Sequence, residues 1–236
     1  MTPDSAGTTP AQQALAQRID AVLPQTQCTR CGFPDCAAYA LAIAREQASI
    51  NQCPPGGAEG IARIARVTAL PALPLDARFG VESPRTVAVI DEAWCIGCTL
   101  CIKACPTDAI IGSHKQMHTV IESACTGCDL CLPVCPVDCI QMVSVSGEDT
   151  GWAAWSAAQA DTARQRYTQR KKRLQQEQAT HNDQALAKAQ SHLDDLESHT
   201  KAPEGPGQAA ELARKRRVIE TAIAAAKAKA RPSGKP

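Results

Sequence analysis

One cysteine run, written twice, limits what this chain can fold into more than any other feature. Cys95-Ile-Gly-Cys98-Thr-Leu-Cys101-Ile-Lys-Ala-Cys105-Pro106 is followed 30 residues later by Cys125-Thr-Gly-Cys128-Asp-Leu-Cys131-Leu-Pro-Val-Cys135-Pro136. Gly97, Leu100, Asp108 and Ile110 of the first copy return as Gly127, Leu130, Asp138 and Ile140. Self-similarity at a fixed offset implies two copies of one small unit, each too small to bury a core alone. Aromatic residues make up only 3% of the chain, against 13 cysteines, so little large apolar surface is available to order it. Metal centres can supply that order, because metal-binding free energy is folding free energy when the unfolded chain has no site.

The run C-x2-C-x2-C-x3-C-P is the ligation pattern of bacterial ferredoxins with two [4Fe–4S] clusters. Three closely spaced thiols wrap a tight loop around one cube, and the fourth, fixed by the following proline, reaches the other. The pattern therefore predicts one cluster on Cys95, Cys98, Cys101 and Cys135, and a second on Cys125, Cys128, Cys131 and Cys105. Glycines inside the loops leave backbone N–H groups free to point at sulfur. Structural zinc usually needs two paired cysteine motifs, whereas each loop here has three ligands and a Cys-Pro.

A separate set, Cys28, Cys31, Cys36 and Cys53, has the spacing of one further metal centre: three ligands from a turn and one returned by a following helix. Spacing alone leaves a cube and a four-thiolate zinc ion both open.

Coarse patterning places these motifs. Thr9-Pro10 opens a predicted helix with Leu15, Ile19, Val22 and Leu23 on one face, ended by Pro24. Helices are predicted over 37–48 and 58–69, with a loop over 51–57 between them. Pro71, Pro74, Gly80 and Pro84 mark a linker. Thr86–Ile90 is a β-branched strand expected to pair with 140–145, and 110–112 is expected to pair with 117–121. From about residue 152 the chain is rich in Ala, Gln, Lys and Arg and reads as helix, broken at 202–207 and resumed over 208–231 with Leu212, Ile219 and Ile223 in register. Charge divides the same way: residues 1–150 carry 9 Lys and Arg against 15 Asp and Glu, and residues 151–236 carry 16 against 9.

The expected fold is α+β. It comprises a polar leader (1–9), a helical 4Fe-4S domain (10–70), a linker (71–85), a duplicated two-cluster ferredoxin-like domain (86–146) and a basic, helical, partly disordered tail (147–236). No signal peptide and no run of about 18 apolar residues is read, so no membrane span of its own is expected. Cysteine usage then points to a reducing, cytoplasmic compartment, with an odd thiol count that argues against a disulfide framework.

Cys28-Thr-Arg-Cys-Gly-Phe-Pro-Asp-Cys36, then Asn51-Gln-Cys-Pro-Pro-Gly-Gly57, then a two-cluster ferredoxin module, resembles the B subunit of the Rnf/Rsx electron transport complex over about residues 10–146. The resemblance implies a [4Fe–4S] cluster on Cys28, Cys31, Cys36 and Cys53, making three in all. It implies one-electron relay within a ferredoxin- and NAD-linked, ion-translocating membrane oxidoreductase, with redox proteins and membrane subunits as partners and a place on the cytoplasmic face of the inner membrane. Proteins of that family normally begin with a membrane-anchoring helix, where this chain has a polar leader and the 11–23 helix. The long basic tail is also outside the family's common core. A ferredoxin-type carrier serving another oxidoreductase is a second reading. A cluster- or zinc-bearing scaffold with a nucleic-acid-binding tail is a third.

The remaining residues read plainly. Cys139 stands where the first copy has Ala109 and is expected to be a small buried residue beside a cluster. Trp94 is expected to shield a cube from water. The five histidines share no ligand spacing with the cysteines and are expected at the surface. The basic run 164–173 and Arg214–Arg217 read as solvated helix faces, or as a docking face for an acidic partner or an anionic membrane. Nucleic acid is not an expected partner. No phosphate loop or nucleophile–base pair is present, so no catalytic residue is assigned.

Overall fold

The computed structural model describes residues 7–196 and 207–230. All of the expected break at 202–207 but Gly207, most of the polar leader, His199 and everything from Arg231 onward lie outside these residues. Contacts divide the chain into two bodies, Met1–Arg170 and Lys171–Pro236.

The first body opens with α1 (Pro10–Ala21), started by a capping box in which Thr9 and Gln12 satisfy each other's backbone N–H. Its apolar side, with Ile19 and nearby Leu23 fully buried, packs on α2 (Cys36–Ala44) and α3 (Gly57–Thr68). The helix expected over 37–48 stops at Ala44, and Glu46 then takes a left-handed backbone (φ 60°). The cause is Tyr39: its hydroxyl donates to the Ser49 carbonyl at 2.7 Å and accepts from Gln52 N–H at 3.1 Å, pulling the chain back across α2.

Residues 70–85, the expected linker, are fastened down at several points. Asn51 Nδ2 donates to the Pro74 carbonyl (2.6 Å), and Asp76 N–H donates to the Asn51 carbonyl (3.0 Å). Glu82 accepts from Ala58 N–H at 2.9 Å and from the Thr150 hydroxyl at 2.7 Å.

The cysteine repeats lie between two small antiparallel pairs. β1 (Thr86–Ile90) runs against β4 (Ile140–Ser144), with Thr86 opposite Ser144 and Ile90 opposite Ile140. β2 (Ile110–Ile111) pairs with β3 (Thr119–Val120). The first cysteine loop runs into a short helix, α4 (Leu100–Ala104). The two copies repeat in backbone conformation as well as sequence. Gly97 and Gly127 have φ of 68° and 67°, Thr99 and Asp129 65° and 63°, and Asp108 and Asp138 both 50°. A Cβ at Gly97 would collide with the Gln116 backbone, and one at Gly127 with the Thr86 carbonyl, so each loop closes against backbone that only glycine allows.

The start of the expected tail belongs to this body. α5 (Gly151–Ala154) packs on α3, and the Arg63 guanidinium lies 3.9 Å from the centroid of the Trp152 ring. Trp155 is buried and donates from Nε1 to the Pro24 carbonyl at 2.8 Å. α6 (Ala157–Asp194) then runs on with Ala160 and Ala163 packed beside Trp155. The basic run 164–173 is thus not simply a solvated face. Arg164 bonds the Asp20 carbonyl (3.2 Å), Arg166 bonds the Thr107 (2.7 Å) and Asp108 (3.0 Å) carbonyls, and Arg170 pairs with Asp108 and the Lys103 carbonyl.

The second body is the rest of α6 with α7 (Gln208–Ala230). Leu186 and Ile223 line one apolar groove, and Ile223 is buried. Leu212 and Ile219 are half-buried, as their spacing predicts. The architecture is a mixed helix-and-strand, α+β fold.

Candidate metal centres

All 13 cysteines are free thiols, and twelve gather into three groups. The first is built by a loop under unusual backbone constraint. Gln25, Gln27 and Thr29 all have left-handed φ (57°, 55° and 60°), a conformation that L-residues adopt only when their surroundings demand it. Buried side chains supply that demand. Gln25 Nε2 donates to the Asp20 carbonyl (2.7 Å), Gln27 Nε2 donates to Gln25 Oε1 (2.8 Å), and Gln27 Oε1 accepts from Cys36 N–H (3.0 Å). Asp35 caps α2 by accepting from Ala38 N–H at 2.7 Å, which sets Cys36 on the first turn. The Tyr39 clasp returns Cys53. Cys28, Cys31, Cys36 and Cys53 are all buried. Burial pushes the Cys36 thiol far up, and repulsion from Cys53, Cys28 and Cys31 adds to it; Cys53 is raised by burial and then by Cys28 and Cys31.

The second group crosses the repeats. Burial, then Cys105 and Cys125, push the Cys128 thiol up to about 12. Cys131 is raised to about 12 by burial, then by Cys128, Cys125 and Cys105. These four thiols line one small cavity, together with Ala88, Ala109 and Met142. Backbone N–H groups point at sulfur here: Ala88 N–H to Cys125 (3.4 Å) and Ala109 N–H to Cys105 (3.2 Å).

The third group holds Cys95, Cys98 and Cys101, the last raised by burial and then by the other two. Cys139 ties Cys135 to it: the Cys135 and Cys139 sulfurs are 3.5 Å apart, and Cys139 also feels Cys95. Cys139 is buried, as expected of a small residue beside the site.

Two expectations about this group need correction. Trp94 is 69% exposed, so its ring does not cover the thiols. His118 is not at the surface but 1% exposed, with Nδ1 3.3 Å from Cys101 Sγ and its backbone N–H 3.4 Å from Cys95 Sγ. Its Nε2 is buried with no hydrogen-bond partner, which fits an N–H on Nδ1 donating to sulfur. Sequence spacing gave no signal for His118, because the hairpin that brings it to the loop is a tertiary event. Gln25 and Gln27 were equally silent.

The donor chemistry fits iron–sulfur clusters. Burial raises Cys36 and Cys53 in the first group and Cys128 and Cys131 in the second, and a cationic metal core is what would let thiols so placed ionise together. Among the described residues, no three His, Cys, Asp or Glu side chains are spaced to grip a single metal ion.

Comparison with known proteins agrees with this donor chemistry. A 4Fe-4S dicluster domain model matches residues 88–142, and a model described as "Putative Fe-S cluster" matches residues 23–55. Several curated relatives carry the name of the B subunit of an ion-translocating oxidoreductase complex. The protein from Thiobacillus denitrificans is 60% identical over 107 residues, 45% of this chain and 57% of its own length. That from Azoarcus is 59% identical over 138 residues, 58% of this chain and 75% of its own. That from Alkalilimnicola ehrlichii is 57% identical over 152 residues, 64% of this chain and 81% of its own. With two such relatives matched over three quarters or more of their length, the chain belongs to the family of ion-translocating oxidoreductase complex B subunits.

Proposed function

We propose that the chain relays single electrons through three [4Fe–4S] clusters as the ferredoxin-like subunit of an Rnf/Rsx-type ion-translocating oxidoreductase. Cys28, Cys31, Cys36 and Cys53 would hold one cube; Cys105, Cys125, Cys128 and Cys131 a second; and Cys95, Cys98, Cys101 and Cys135 a third. The cubes supply one-electron redox chemistry when bound, and the chain supplies ligands, spacing and dielectric.

The observation that carries the reading is Cys105. It belongs to the first repeat in sequence yet shares a cavity with the three loop cysteines of the second. Crossed ligation of a duplicated ferredoxin domain produces that arrangement, and it holds the two sites close. Burial of Cys28, Cys31, Cys36, Cys53, Cys101, Cys105, Cys125 and Cys131 excludes water from most of the thiols, and Ala88, Ala109 and His118 donate hydrogen bonds to sulfur, which favours the reduced state.

Its partners would be redox proteins that give and take electrons and the membrane subunits of the complex. No helix among the described residues is long and apolar enough to cross a membrane. Free thiols in this number suit a reducing compartment, so the proposed place of work is the cytoplasmic side of the inner membrane.

The test is Cys105→Ala beside Cys135→Ala, each purified anaerobically. Each should lose about four irons. Cys105→Ala should perturb the EPR signal that Cys128→Ala perturbs, and Cys135→Ala the one that Cys98→Ala perturbs. The opposite pairing refutes crossed ligation.

A further inference from the structure

The first turns of α6 touch both cluster modules, and they do so on residues beside the cysteines. Toward the helical module, Arg164 donates to the Asp20 and Ala21 carbonyls (3.2 and 3.3 Å), and the Tyr167 hydroxyl donates to Asp35 Oδ2 at 3.0 Å. Asp35 is the cap that sets Cys36 on the first turn of α2. Toward the ferredoxin-like module, Arg166 bonds the Thr107 and Asp108 carbonyls, and the buried Arg170 pairs with Asp108 and bonds the Lys103 carbonyl. Lys103, Thr107 and Asp108 straddle Cys105. The buried Thr107 hydroxyl in turn donates at 2.8 Å to the carbonyl of Ala124, next to Cys125.

Helical spacing makes this division possible. Arg164 and Tyr167 are three residues apart and Arg166 and Arg170 four, so each pair lines one side of the helix. Two direct ties between the modules are weaker. Thr126 donates to the Thr26 carbonyl at 2.9 Å, a neutral bond, and Arg30 pairs with Asp129 where both side chains are about a third exposed. A pair that open adds little. The charge-assisted bonds of Arg166 and Arg170 are the stronger class.

We infer that residues 157–170 are a clamp that fixes the spacing between the Cys28–Cys53 group and the crossed group of Cys105, Cys125, Cys128 and Cys131. Arg166, Tyr167 and Arg170 are its positioning residues, acting through the residues beside Cys36 and Cys105. Electron transfer between two buried cubes falls steeply with their separation, so the clamp sets the rate of that one step. The two cubes of the repeat are already tied by crossed ligands, and the clamp leaves their spacing alone. This inference rests on the cluster reading above.

The test uses the full cluster-loaded chain with Arg166→Ala and Arg170→Ala combined. Amide hydrogen exchange over 24–30 and 125–129 reads the joint, and dipolar broadening in the EPR spectrum of the fully reduced protein reads the spacing of the cubes. Exchange at the joint should quicken about ten- to a hundredfold, the loss of charge-assisted hydrogen bonds. Broadening between the first cube and the other two should narrow, while the coupling within the repeat persists. Lys172→Ala, exposed on the same helix, should change neither. Where the double variant sheds iron, Tyr167→Phe decides: it removes only the bond to Asp35 and should quicken exchange at the joint about two- to tenfold. A wild-type iron content short of about twelve counts against the cluster reading, while exchange, which needs no particular metal, still decides the clamp. Unchanged exchange at the joint, unchanged broadening in an iron-replete variant, or an equal effect of Lys172→Ala overturns the inference.

Discussion

Trp155 offers the sharpest test of how the cluster modules are held together. Its side chain is 5% exposed, its Nε1 donates to the Pro24 carbonyl at 2.8 Å, and the Arg85 guanidinium lies 5.0 Å from its ring centroid. Ala160 and Ala163 of α6 pack beside it, so this one ring seats the arm that then reaches Asp20, Thr107 and Asp108. Truncating a buried Trp to Ala costs about 3–5 kcal/mol. At about 1.4 kcal/mol per tenfold, opening of the arm should become easier by roughly 100- to 4,000-fold. Trp155→Phe keeps most of the packing but strands the buried Pro24 carbonyl, which costs about 1–3 kcal/mol and gives roughly 5- to 100-fold. Native-state hydrogen exchange over 157–170 in cluster-loaded protein reads this opening directly. Gln175→Ala, exposed beyond the contact, is the control. Equal exchange in Trp155→Ala and wild type would refute the claim that Trp155 seats the arm.

Three further outcomes follow from the same structure. His118→Phe removes a donor to Cys101, and loss of a hydrogen bond of about 0.5–1.5 kcal/mol should lower the potential of that site by roughly 20–60 mV in an anaerobic EPR titration; an unchanged or higher potential contradicts the donor role. Gly97→Ala and Gly127→Ala each set a Cβ against backbone, so each should cost about four irons by chemical analysis, whereas Gly147→Ala, with open space around it, should cost none. Arg30→Ala breaks a pair that is about a third exposed, so it should change the unfolding free energy in denaturant by less than about 1 kcal/mol; a larger loss would mean the pair is a main joint between the modules.

The gathering of cysteines in tight loops is legible because ligand spacing is a local property. Cys95 to Cys101 needs only a tight turn, and the repeat at Cys125 shows the turn is used twice. The strand pairing of Thr86–Ile90 with 140–144 was legible for a similar reason, since β-branched runs flank a module whose two ends must meet. The arm was not. Helix propensity reads α6 correctly, but an Ala- and Arg-rich helix carries no stripe to say which side is buried. Arg166 and Arg170 look like solvated charges until the carbonyls of Lys103, Thr107 and Asp108 are placed beside them. His118 was hidden for the same physical reason: a lone histidine has no period, and only the fold of the β2–β3 hairpin brings it to Cys101. Trp94 failed in the opposite sense, because adjacency to Cys95 in sequence says nothing about which way a ring faces.

The central claim is that three four-thiol groups each hold a cube, and metal stoichiometry tests it most directly. Anaerobically purified full-length protein should contain about twelve irons and about twelve acid-labile sulfides per chain, with no zinc. About eight irons with one zinc would contradict the account at the Cys28–Cys53 site.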